Sequence, residues 1–231
     1  MVFVGIGAHG PLIASAAMTY QQGGWLATKQ LLCAGFNVRM AWRWWLAIIT
    51  IPFLLNGLAV CANVFLNGYR PDRSLLDNPI MIVPTLLIVF FLYGPVQEEF
   101  GWRGYALPKL LRKFNPLSAS LVLGAVWGLW HLPLFYIPGT GQSNMPFWIF
   151  LCYTAEFSIV YTWLFLQTSR NLFSALLLHA TINTSMAVFP PVEERPGGSQ
   201  IGRIYAMIAY SLLGIMIVLL DRNRWLKTPV T

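Results

Sequence analysis

From Ile80 to Leu92 the chain carries no charged side chain. Soon afterwards two adjacent carboxylates and an arginine stand in Tyr93-Gly94-Pro95-Val96-Gln97-Glu98-Glu99-Phe100-Gly101-Trp102-Arg103. A backbone surrounded by hydrocarbon must satisfy every N–H and C=O internally, so an apolar run of this kind is read as a helix. Comparable runs recur along the chain. Of its 231 residues 57% are hydrophobic and 10% charged, against about 25% charged in ordinary soluble domains, and the mean hydropathy is +0.60. These properties predict an all-α, polytopic membrane helix bundle of about seven transmembrane helices, within limits of six to eight. It forms a single integral membrane domain over 1–231 with no soluble domain or linker.

The expected spans follow from the apolar runs. Residues 1–22 form a first, imperfect span and lack the basic start that a secretory signal needs. Residues 25–43 mix Lys29, Arg39 and Arg43 with Trp25, Trp42, Trp44 and Trp45, as in an interfacial segment. Further spans are expected over 44–66, from 80 into the carboxylates with a kink before Glu98, over 116–136, 146–167, 171–189 and 201–220. The stretch from Arg103 to Asn115 is amphipathic and basic. Ser120, Gly124 and Gly128 recur every four residues and predict close approach of another helix. Most Trp and Phe residues are expected to face lipid or the interface, and Glu193-Glu194 to lie in a solvated loop.

The net charge of +7 does not point to nucleic acid, because the basic residues sit in short loops between apolar runs. With the expected spans, Lys and Arg divide eleven to four between the two sides, which favours an external N-terminus and a cytoplasmic C-terminus. Cys33, Cys61 and Cys152 are scattered, without a CxxC pair, and support neither a disulfide framework nor a cysteine metal site.

An ionisable group at membrane depth is a functional-site hypothesis by default. Glu99 and Arg103 have the i, i+4 spacing of a helical ion pair, whereas Glu98 is rotated by about 100° and has no local cation. Glu98 is therefore expected to be the base and Glu99 with Arg103 the supporting pair. His131 shares a helical face with Trp127, and His179 shares one with Asn183. A carboxylate with an imidazole takes a proton from water, and a second imidazole with a carboxamide donates to an oxyanion. Together they suit hydrolysis of a carbonyl substrate. At about 1.5 Å per residue His131 lies about 24 Å from the Asn115 end of its helix and His179 about 12 Å from Asn171. A shared site then requires tilted spans or a helix extending beyond the membrane. His9, beside glycines, is read as structural. Glu156 is an additional acid within a span that either lines the substrate cavity or pairs with Arg203 or Arg170, and the pairing is the favoured expectation.

Three motifs carry a family resemblance: Glu98-Glu99-Phe100-Gly101-Trp102-Arg103 fits EExxxR, Trp127-Gly128-Leu129-Trp130-His131 fits [F/W]xxxH, and His179-Ala180-Thr181-Ile182-Asn183 fits HxxxN. In this order, within a core of about 80–190, the chain resembles the CPBP family, which includes type II CAAX prenyl endopeptidases and bacterial Abi proteins. The likeness extends over about 10–190, including Gly10-Pro11 and Thr162-Trp163-Leu164. It implies an intramembrane endopeptidase with a site open to the cytosol, in the plasma membrane if the organism is bacterial. It further implies water activation by Glu98 and His131, with the oxyanion held by His179 and Asn183. The substrate would be a peptide or protein, prenylated or membrane-associated, in a lipid bilayer. Family members commonly have eight spans, and by that likeness this chain begins near the second.

No cofactor is expected, since no HExxH occurs and a catalytic zinc site shows three dedicated protein ligands. A zinc-dependent alternative would use Glu98, His131 and His179. Two other functional classes remain: a non-catalytic membrane binding or bacteriocin-immunity protein, and a proton-coupled carrier relaying through His131, Glu98 and Glu156. No paired broken helices support the carrier.

Overall fold

The computed structural model describes residues 7–227, among which all regular structure is helical. The long elements are α1 (Gly10–Ala34) and α2 (Trp42–Asn67), followed by a single turn at Ser74–Asp77. The chain then runs through α3 (Ile82–Leu92), α4 (Pro95–Glu99), a π-helical stretch (Phe100–Ala106) and α5 (Leu107–Leu110). It continues in α6 (Pro116–Trp130), α7 (Phe147–Gln167), α8 (Leu172–Val188), α9 (Ile201–Leu220) and the short α10 (Arg222–Leu226). The chain is an all-α membrane helix bundle.

Among the described residues five stretches are long and apolar enough to cross a membrane: Trp42–Asn67, Pro79–Leu110, Pro116–Tyr136, Phe147–Gln167 and Ile201–Leu220, while Leu172–Val188 is apolar but shorter. These six correspond to the expected spans from residue 44 onward. The expected first span begins outside the described residues. From Gly10 the helix does not stop near residue 22 but continues as α1 to Ala34, with a kink where Gly24 takes φ +64°. Half of the anticipated interfacial segment is thus the second arm of this helix.

Local chemistry sets the helix starts nearest the site. Asn115 accepts a hydrogen bond from the Ser118 N–H at 2.8 Å and is followed by Pro116, whose missing N–H is no loss in a first turn. Asn171 caps α8 in the same way through Ser174. The amide nitrogen of Asn171 also donates to the carbonyls of Asn37 and Arg39, tying the α1–α2 connection to the start of α8.

α8 is the central helix, with nearly all of its residues buried, including Ser174, His179, Thr181, Thr184 and Ser185. Such a polar helix is tolerable only because its neighbours supply partners: Asn56 of α2 donates to Ser185 Oγ at 2.7 Å. Lipid instead meets residues such as Leu87, Ile88, Leu212 and Leu219, which are exposed on the outer helices. The aromatic residues do not all face outward as expected. Trp127, Trp225, Phe100 and Phe157 are buried in the bundle.

The small-residue stripe on α6 meets α7. A Cβ on Gly124 would fall 2.7 Å from both Ala155 Cα and Thr154 O, so the two backbones are already in contact. Gly124→Val is expected to push α6 from α7 and cost about 1–3 kcal/mol, read as a lowered unfolding midpoint in detergent. An unchanged midpoint would mean that this close contact contributes nothing to stability.

On the side opposite the α10 end, Glu194 is not merely solvated. It pairs at 2.5 Å with Arg203, whose side chain is buried at the start of α9, and Arg203 also donates to the Asn144 carbonyl at 3.2 Å. The charge needed a partner because the α9 start packs against α7, where Tyr153 donates to the Arg203 carbonyl at 2.6 Å.

Candidate active site

The site begins at a break in the third apolar stretch. Helix α3 ends at Leu92, Gly94 takes φ +110° and ψ −57°, and Pro95 opens α4. Buried Gln97 holds the break from both sides. Its carbonyl oxygen accepts from the Gly94 N–H at 3.1 Å and its amide donates to the Phe91 carbonyl at 2.6 Å. The expected kink is therefore a defined turn. Behind it the backbone widens into the π-helical stretch containing Arg103, a form that recurs at functional sites.

The two carboxylates face different partners. Glu99 and Arg103 have no exposed side-chain surface and pair at 3.1 Å, as the i, i+4 spacing predicts. Glu99 Oε1 also lies 2.8 Å from His179 Nδ1. Glu98 instead turns toward α6, where Trp127 Nε1–H donates to its Oε2 at 2.6 Å. Its Oε1 lies 3.9 Å from His131 Nε2.

Hydrogen-bond roles fix which nitrogen of each imidazole is already committed. His131 Nδ1 lies 2.9 Å from the Trp127 carbonyl. A carbonyl only accepts, so Nδ1 carries the proton and the neutral ring turns an Nε2 lone pair toward Glu98. Carboxylate Glu99 likewise takes the proton on His179 Nδ1, leaving Nε2 outward. Both Nε2 and Glu98 Oε1 are then acceptors, and a water molecule is the smallest donor that satisfies two of them at once.

Trp127 connects the groups. Its ring is edge-on to His131 at 6.0 Å, to His179 at 5.6 Å and to Tyr161 at 5.9 Å between centroids. The Arg103 guanidinium lies between Trp127 and Tyr161, at 4.6 and 4.1 Å from their ring centres, so ring faces supplement Glu99 in compensating its charge.

Glu98, Glu99, Arg103, His131 and His179 are thus brought together from α4, the π-helical stretch, α6 and α8. The unequal depths of His131 and His179 do not keep them from flanking the same indole. Asn183 is half-buried one turn beyond His179, where its amide donates to the Tyr93 carbonyl at 3.3 Å, at the helix break. Glu156 is elsewhere and pairs with neither Arg203 nor Arg170. It accepts from Ser211 Oγ at 2.6 Å beside an apolar cavity of about 290 Å³ between α6, α7 and α9. The expectation of an ion pair fails because the buried Arg203 is taken by Glu194.

Sequence reasoning missed the roles of Gln97 and Trp127. Gln97 had a signal in its position between Pro95 and the carboxylates. Trp127 had one in its four-residue spacing from His131.

Residues 80–185 match the family model described as type II CAAX prenyl endopeptidase Rce1-like. Over these residues the chain is similar to that family. The matched segment contains every residue of the constellation, and the resemblance carried by the three motifs is borne out. The chain is 32% identical over 153 residues to CAAX prenyl protease 2 of Methanococcus maripaludis, covering 64% of this chain and 52% of that protein. It is 28% identical over 187 residues to lysostaphin resistance protein A of Staphylococcus haemolyticus, covering 75% of this chain and 48% of that protein. The chain thus spans about half the length of these curated relatives. Among the described residues no group of three His, Cys, Asp or Glu side chains is arranged to hold a metal ion.

Proposed function

We propose that this chain is an intramembrane endopeptidase that hydrolyses a peptide bond with water activated by Glu98. The observation that carries the reading is the buried Glu98, with Oε2 held by the Trp127 indole and Oε1 turned toward the His131 Nε2 lone pair. Glu98 and His131 orient the water, and Glu98 takes its proton as the water oxygen bonds to the carbonyl carbon. The carbonyl oxygen becomes the oxyanion, to which His179 donates through Nε2 once that nitrogen has taken the second proton of the water, with the Asn183 amide at the same end of the site. Breakage of the C–N bond follows, and the proton on Glu98 passes to the leaving nitrogen. Glu99 and Arg103 orient His179.

By likeness to the relative named CAAX prenyl protease 2, the substrate is a peptide or protein with a prenylated or otherwise membrane-associated tail. The distribution of basic residues supports a site facing the cytoplasm. No step is assigned to a metal. The direct test is purified protein with a library of prenylated and unprenylated peptides, with and without a strong chelator. Cleavage of a prenylated peptide at one internal bond, unaffected by the chelator, is expected. Loss of cleavage on chelation and its return with zinc would reverse the metal-free reading.

A second reading is favoured by the relative named for lysostaphin resistance: a membrane protein conferring resistance without turnover. It predicts that Glu98→Gln leaves the cellular phenotype intact.

A further inference from the structure

Gly94 stands against the reactive atoms as well as at the helix break. A Cβ on residue 94 would lie 3.0 Å from His179 Nε2 and 3.1 Å from Glu98 Oε1. Both distances are hydrogen-bond distances for an oxygen atom and uncomfortably short for a methyl carbon. One point in space is therefore within reach of the base and of the second imidazole, and the absence of a side chain at residue 94 leaves that point open. The other oxygen of Glu98 and the other nitrogen of His179 are committed to Trp127 and Glu99, and of the two atoms facing the point Glu98 Oε1 has only the longer 3.9 Å approach of His131 Nε2 beside it.

We infer that the attacking water occupies the place of the missing Cβ of Gly94, in contact with Glu98 Oε1 and His179 Nε2, and that Gly94 is a positioning residue because it leaves this room. The inference rests on the proposed hydrolysis and adds His179 to the partners of the water. A water here donates one proton to Glu98 and the other to the neutral His179 Nε2. The first proton passes to Glu98 as the new C–O bond forms, and the second passes from the same oxygen to His179 Nε2, which becomes the imidazolium. The oxyanion then develops on the neighbouring atom of the same tetrahedral centre, within reach of the protonated His179.

The experiment compares Gly94→Ala with wild type, with Glu98→Gln, and with Gly139→Ala in the full-length protein. Gly139 also has a positive φ, +84°, but nothing lies within 4 Å of its Cβ position, so its alanine variant carries backbone strain without occupying the site. Gly94→Ala is expected to bind substrate with KM within about threefold of wild type while kcat falls on the order of 100-fold, the scale of losing a positioned proton acceptor. Gly139→Ala should keep its kcat. A Gly94→Ala kcat near wild type alongside an inactive Glu98→Gln would overturn this inference and leave the proposed hydrolysis standing. An active Glu98→Gln would remove both. Should Gly94→Ala fail to fold, a wild-type density map that resolves internal waters decides. Water within hydrogen-bond distance of both Glu98 Oε1 and His179 Nε2 supports the inference, and an empty point in such a map overturns it.

Discussion

Glu98→Gln is expected to abolish peptide hydrolysis, by roughly 10²–10⁴-fold in kcat, while the purified variant retains its helical content and unfolding midpoint. The two halves of this result have separate causes. An amide cannot accept the water proton, so the chemistry stops. Among the described residues no Lys or Arg pairs with Glu98, whose polar contacts include the Trp127 indole at 2.6 Å and His131 at 3.9 Å. A glutamine oxygen still accepts from the indole, and no charge is stranded. Turnover at the wild-type rate would take Glu98 out of the role of base, and a collapse of the fold would make its role structural.

The neighbouring substitution should behave in the opposite sense. Glu99→Gln is expected to lower stability by about 3–5 kcal/mol, because it leaves the Arg103 guanidinium buried without a counter-charge, and neither side chain of that pair has exposed surface. The ring faces of Trp127 and Tyr161 offset only part of that cost. His179 also loses the anion that orients its Nδ1–H, so activity falls together with the unfolding midpoint. Thermal unfolding in detergent, followed by helical signal, checks the first effect, and activity at a temperature where the variant remains folded checks the second. A midpoint equal to that of Glu98→Gln would show that the two adjacent carboxylates are not energetically distinct.

The bundle was legible where a physical constraint acts along the chain itself. Apolar runs located the spans from Trp42 onward, the i, i+4 rule paired Glu99 with Arg103, and the Ser120, Gly124, Gly128 stripe located the α6–α7 contact. What was not legible depends on rotation about a helix axis. Adjacent residues differ by about 100°, and nothing in the spacing says which glutamate faces α6 and which faces α8. The turn at Gly94 and the widened backbone from Phe100 to Ala106 set that choice, and neither follows from periodicity. Glu156 illustrates the same limit. A residue in mid-span invites an arginine, but Arg203 had already been taken by Glu194 from a loop that looked merely solvated.

The central position of α8 has a consequence for hydration. Its 17 residues reach only about 25 Å, short of a hydrocarbon layer about 30 Å thick. The deficit falls on a helix whose residues are mostly buried in the protein, and the connection held by Asn171 to Asn37 and Arg39 meets its start. A thinned centre of this kind shortens the path between bulk water and His179. In the proposed hydrolysis, water would then reach Glu98 and His179 without crossing a full leaflet.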